Sequence, residues 1–134
     1  MKKILFFSSF LFLIVILVSW FNFYYTNKTA NIANLKTSQI QKSAKQCDYN
    51  KALNQARELE EYWISSHTIM EIFIHHDVIE NIDQSISVII ISLSIFLEGG
   101  NMSDLSIFWY EMAKLIPEFN NLKDIETPSI GNIL

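Results

Sequence analysis

Neither a glycine nor a proline occurs in residues 1–98; the first glycine is Gly99 and the first proline Pro117. Both residues interrupt helices, and they supply most of the tight turns that strands require. So long a stretch without either is a sequence for helices. The expected fold class is all-α: an N-terminal transmembrane helix followed by a small three- to four-helix bundle of the helical-hairpin type.

Within that stretch, Ile4–Tyr25 carries no charged residue and follows the pair Lys2 and Lys3. At ~1.5 Å per residue it makes a helix roughly 33 Å long, enough for a hydrocarbon core of ~30 Å. A secretory signal has a shorter apolar stretch and a small-x-small cleavage site. This run is longer and closes on Trp20-Phe21-Asn22-Phe23-Tyr24-Tyr25, aromatics suited to a membrane interface. The expected organisation is therefore an uncleaved anchor over 1–27, a basic juxtamembrane helix or linker over 28–47, and a helical body over 48–134 with an irregular C-terminal tail. The lipid bilayer is the first expected partner, and the expected location is the cell membrane, single-pass. Lys2 and Lys3 favour a cytoplasmic N-terminus, while Lys28, Lys36, Lys42 and Lys45 weaken that bias. Short basic anchors usually export the segment C-terminal to them, so the body is expected outside the cytoplasm. A second apolar stretch, Ile86–Leu97, is broken by Ser87, Ser92 and Ser94 and flanked by acids. Its length suits a buried helix rather than another span.

The net charge of −4 hides an asymmetry. Lys28 to Arg57 holds six basic residues and one acid, Asp48, whereas Glu58 to the end holds thirteen acids against Lys114 and Lys123. An acidic body has no basic stripe to hold phosphates, so no nucleic-acid partner is expected. The basic segment reads either as a lipid-headgroup contact or as a solvated helix face. Cys47 is the only cysteine, which excludes an intramolecular disulfide. Its spacing from Ala33, Thr37, Ile40 and Ala44 reads as that of a small packed residue.

Asp48 is a good N-cap for a helix with Ala52, Ala56, Leu59 and Trp63 on one face, a stripe that extends to Met70 and Ile74. Asp77 and Glu80 have the spacing of a capping box, which starts the next helix at Val78; Thr68 with Glu71 is a competing start. That helix carries Ile82, Ile86, Ile89, Leu93 and Phe96 on one face. Val88, Ile91 and Ile95 widen its apolar surface, so it is expected to be covered on most sides. Gly99-Gly100 ends it. Asn101 or Ser103 caps a last helix with Leu105, Phe108, Trp109, Met112, Leu115 and Ile116 facing inward. Pro117 is expected to close it, leaving an irregular tail from Glu118.

The densest polar set is His67, Glu71, His75, His76, Asp77 and Glu80. On an unbroken helix His67, Glu71 and His75 share one side, and His76 and Glu80 another. Histidine and carboxylate at that spacing are candidate metal ligands, although neither H-E-x-x-H nor paired E-x-x-H motifs occur. The bland alternative is that Asp77 caps a helix and His76 bonds to the junction backbone. The sequence has no G-x-S-x-G elbow and no glycine-rich phosphate loop. The chain is not expected to be an enzyme, and no cofactor is expected. Trp63 and Trp109, on apolar stripes, read as core anchors rather than ligand platforms.

The order of elements has a likeness. It runs from the basic N-terminal span through Asp48-Tyr49-Asn50-Lys51-Ala52, Leu59 and Trp63. It continues with His76-Asp77-x-Ile79-Glu80-x-Ile82 and ends in Ser129-Ile130-x-Asn132-Ile133-Leu134. In this the chain resembles the domain-of-unknown-function family 4363 (DUF4363), small membrane proteins of clostridia and related Firmicutes. The family often has an acidic residue where Val78 stands. The resemblance implies no activity. Some members are encoded beside multi-span membrane proteins, which implies an accessory role to an integral-membrane partner. The contact candidates are then His76, Asp77, Ile79 and Ile82, with the tail Asn132, Ile133 and Leu134. The alternative function is a metal- or pH-responsive extracytoplasmic sensor built on His67–Glu80.

Overall fold

A computed structural model describes residues 1–72 and 74–126. They form four helices: α1 Lys2–Lys45, α2 Tyr49–Met70, α3 His76–Leu97 and α4 Met102–Glu126. Each packs on its sequence neighbours and α4 returns to α1; across the diagonal, Trp63 of α2 meets Phe119 of α4 ring to ring. Short connections make successive helices antiparallel, so the bundle is a closed up-and-down ring.

α1 is unbroken, and its two parts do different work. Every residue from Met1 to Phe21 is exposed. From Thr26 on, a stripe of Thr26, Thr29, Ala30, Ala33, Thr37, Ile40, Ser43 and Ala44 is buried. These spacings of three and four set one face toward α2 and α4. The residues are small, so the backbones can approach and the larger Trp63, Phe108 and Phe119 fill the centre. Residues 28–45 are thus a full wall of the bundle rather than a linker, and the body begins before the expected position 48. The same continuity carries Lys36, Lys42 and Lys45 away from the apolar run, Lys45 by ~30 Å at 1.5 Å per residue. Lys42 and Lys45 are exposed, and the half-buried Lys36 sits over the Tyr62 ring, 5.7 Å from its centroid. By length and composition α1 can cross a membrane; α3 passes the same test but is partly buried within the bundle.

Both ends of the α1–α2 turn are capped. Asp48 accepts from Lys51 N–H at 3.3 Å. Behind it, Cys47 N–H donates to Ala44 O and Asp48 N–H to Ser43 O, both at 3.0 Å, the pairing of a Schellman cap. The residue between them, Cys47, has φ 60° and is exposed rather than packed. α3 ends the same way with Gly99 at φ 103° and Gly100 N–H on Ile95 O at 2.9 Å. A non-glycine residue pays roughly 1–2 kcal/mol in this region, partly offset by the freedom glycine loses on folding, ~0.5–1 kcal/mol. Cys47→Gly should therefore stabilise the protein by about 0.5–1 kcal/mol, read as a higher midpoint in a circular-dichroism melt.

α4 starts on a reciprocal cap. Ser103 N–H donates to Asn101 Oδ1 at 3.1 Å, and Asn101 N–H to Asp104 Oδ2 at 3.0 Å. Pro117 does not close this helix; it lies inside it. An interior proline costs ~3 kcal/mol through its missing N–H and a clash one turn back. Beyond it, Phe119 and Leu122 are both fully buried, each contributing ~1.5–3 kcal/mol. Burial outweighs the local penalty, so the expected irregular tail is helical as far as Glu126.

Candidate functional site

Three places on this frame gather chemistry: the α2–α3 junction, the α2/α3 cleft and the α3/α4 groove.

At the junction the expected polar set is dispersed. α2 stops at Met70 and α3 begins at His76, so His67 and His75 share no helix face. Ile74, 5% exposed, turns into the end of the core, and its N–H bonds to Met70 O at 2.9 Å. That bond has helical i→i−4 spacing and keeps Ile74 one turn beyond Met70 on the buried stripe. Two separate pairs remain: His67 Nδ1 with Glu71 Oε1 at 3.3 Å, and His76 Nε2 with Glu80 Oε2 at 3.9 Å. His67 Nδ1 is buried without an aligned hydrogen bond, so the pair is a close approach rather than a bond. Among the described residues no three His, Cys, Asp or Glu side chains stand close enough to share a metal ion. The capping box does not form either. The cap position is His75, which makes no side-chain cap bond, and Asp77 sits in the first helical turn, where it complements the helix dipole.

The contact candidates divide. His76 and Asp77 are exposed. Ile79 and Ile82, 1% and 0% exposed, belong to the core and cannot meet a partner; they take the inward face of α3. Asn132, Ile133 and Leu134 lie outside the described residues.

The α2/α3 cleft, about 390 Å³, is lined by Glu60, Trp63, Ile64, His67, Asp83 and Ser87 among others. Trp63 is 1% exposed, so it offers no stacking face. Its Nε1–H donates to Asp83 Oδ1 at 2.5 Å, and its ring meets Phe119 edge-on at 5.5 Å. It is the core anchor expected of it.

The α3/α4 groove changes character along its length. Toward the α1 apolar run it is polar, lined by Gln84, Ser85, Glu111, Lys114 and Glu118. Ser85 Oγ donates to Glu118 at 3.4 Å. Burial holds the Glu118 carboxyl above the ordinary carboxylate range, against the lowering effect of Lys114. A carboxyl raised on folding favours the folded state below its unfolded pKa, and that contribution is lost as pH rises through the folded value. Glu118→Gln should therefore melt above the parent at pH 7, the gap closing as pH falls through the carboxylate range. A gap independent of pH would contradict this.

Toward the other end the same groove becomes apolar. Gln84 and Val88 line it on α3, and the helical spacing continues that line to Ile91 and Ile95. On α4 the line through Glu118 and Glu111 continues to Ile107, with Tyr110 one turn from it. Ile91 is 56%, Ile95 45%, Ile107 47% and Tyr110 65% exposed. Ile91 and Ile95 were expected under cover. In a ring of four, α3 touches only α2 and α4, and its third side faces out. The signal was present as a surplus of apolar faces over the two that a bundle helix buries.

Residues 20–133 match the family described as "Domain of unknown function (DUF4363)". The chain belongs to that family. The matched region spans the whole bundle and opens at the aromatic band of α1. No curated protein and no solved structure matches the chain.

Proposed function

We propose that this DUF4363 member is a single-span membrane protein whose bundle serves, outside the cytoplasm, as an interaction module for another membrane protein and not as a catalyst. The observation that carries this is the apolar end of the α3/α4 groove. Four large side chains, Ile91, Ile95, Ile107 and Tyr110, are exposed on helical lines that continue this groove, and an apolar surface so gathered on a small bundle marks a contact. The anchor reading draws on the exposed run of α1. Its dozen or so bare Leu, Ile, Val and Phe side chains would forgo ~1.5–3 kcal/mol each in water, well beyond the ~5–15 kcal/mol that holds a domain together. Lipid removes that cost. Tethering confines the module near its partner and raises its effective concentration.

The partner surface then lies toward the far end of the bundle, up to ~30 Å from the end of the apolar run at 1.5 Å per residue. It suits a partner that rises out of the bilayer rather than one buried in it. The polar residues at the junction fall into two separate pairs that converge on no common point, which supports a structural role for them over sensing or catalysis.

A photoreactive benzoylphenylalanine in place of Ile95 tests this in native membranes. Irradiation should give one discrete product containing an integral-membrane protein, and Ile107→Asp should abolish it. No product, or one of twice the chain's own mass, would remove the accessory reading.

A further inference from the structure

The α2–α3 turn carries a second apolar feature, at the opposite end of the bundle. Ile72 is 74% exposed and Ile69 39% exposed. Neither is needed by the core, which Met70 and Ile74 close at this end. The helix pairing shows where the turn lies. Lys36 of α1 sits over Tyr62 of α2, and Ser43 Oγ donates to Gln55 Oε1 at 2.7 Å. Continuing that antiparallel register brings Ile72 about level with Thr26, and Tyr25 Oη reaches Ser66 O at 3.4 Å. The turn therefore stands beside the band Asn22–Tyr25, where the apolar run ends. Its neighbour Glu71 is turned toward His67 at 3.3 Å, which leaves Ile72 the most exposed large apolar side chain among the described residues of the turn.

We infer that the α2–α3 turn, through Ile69 and Ile72, rests on the lipid bilayer beside the anchor, giving the bundle a second point of membrane contact. This rests on α1 being lodged in the membrane. The surface is continuous with the lipid-facing aromatic band: Trp20 and Tyr24 are exposed and stack at 6.5 Å at the same end of the bundle. Aliphatic and aromatic side chains at that height suit the zone between headgroups and acyl chains. A single helix leaves a tethered bundle free to tilt and swing. A second contact fixes its tilt, and with it the height and bearing of the α3/α4 apolar groove. Fixing them before a partner arrives lowers the ordering cost of binding.

Site-directed spin labelling of the full chain in phosphatidylethanolamine–phosphatidylglycerol vesicles tests this. On a Cys47→Ser background, single labels are placed at Ile72→Cys, at Leu13→Cys in the apolar run and at Ser38→Cys on the exposed side of α1. Each is read for collision with oxygen, which concentrates in lipid, and with a water-soluble nickel chelate. The expected result places Ile72 between the controls, with oxygen contact raised and nickel contact lowered several-fold relative to Ser38. If Ile72 behaves like Ser38 while Leu13 reads as deep, the turn does not touch lipid and the anchor stands. If Ile72 is shielded from both reagents, a protein surface covers it and the lipid contact is wrong. If Leu13 also reads as Ser38 does, the anchor falls and this inference falls with it.

Discussion

Trp63→Ala should destabilise the bundle more than any other single truncation to alanine, by about 3–5 kcal/mol. Trp63 is the largest fully buried side chain. It meets Phe119 of α4 edge-on and reaches Asp83 of α3 with its indole N–H, so one residue of α2 ties three helices together. Alanine leaves a cavity that the small residues of the α1 face cannot collapse to fill. Trp63→Phe keeps most of the ring contact and loses the hydrogen bond, a loss of about 1 kcal/mol, with some added cost for the smaller ring. Melting of the full chain in detergent, monitored by helical circular dichroism, should rank parent, Phe and Ala in that order. An Ala variant with the parent's melting midpoint would mean that Trp63 is not at the centre of the core.

Legibility in the sequence followed the range of the signal. Most short-range signals read true, the Asp77–Glu80 capping box being an exception. Asp48 caps α2, Gly99 takes the positive φ that ends α3, and Ala52, Ala56, Leu59 and Trp63 form a buried stripe. Misreadings arose where tertiary burial overrode a local preference. Pro117 signals a stop, yet Phe119 and Leu122 have core to fill beyond it. Cys47 has the spacing of a packed residue, yet the chain must reverse there and a left-handed residue does it. The fourth wall of the bundle was left open between helix and linker because residues 26–44 of α1 present mostly threonine, serine and alanine to the core, with Ile40 the one large side chain, which gives little hydrophobic contrast. The candidate site was the least legible part. Whether His67 meets His75 depends on where α2 ends, which is Met70, and no glycine or proline marks that end in the sequence. Ile79 continues the inward line of Ile82, Ile86 and Ile89 at a spacing of three, so its burial was legible, whereas whether Ile91 is covered depends on how many neighbours α3 has.

Ile82→Asp and Ile91→Asp, nine residues apart on one helix, should have opposite consequences. Ile82 is 0% exposed and stands on the inward line of α3 with Ile79, Ile86 and Ile89. A carboxylate there loses ~2–5 kcal/mol of apolar packing and adds several kcal/mol for an unpaired buried charge. Together these rival the ~5–15 kcal/mol net stability of a domain. The variant should lose its cooperative melt and most of its helical signal beyond α1. Ile91 is 56% exposed on the far side of the same helix. Ile91→Asp should leave the melt within about 0.5 kcal/mol of the parent and abolish the crosslink from Ile95, because a charge now stands in the apolar groove end. The pair separates a folding face from a contact face on one element. A cooperative melt retained by Ile82→Asp would mean that α3 packs with another side inward. A crosslink retained by Ile91→Asp would mean that the exposed isoleucines do not contact the captured protein.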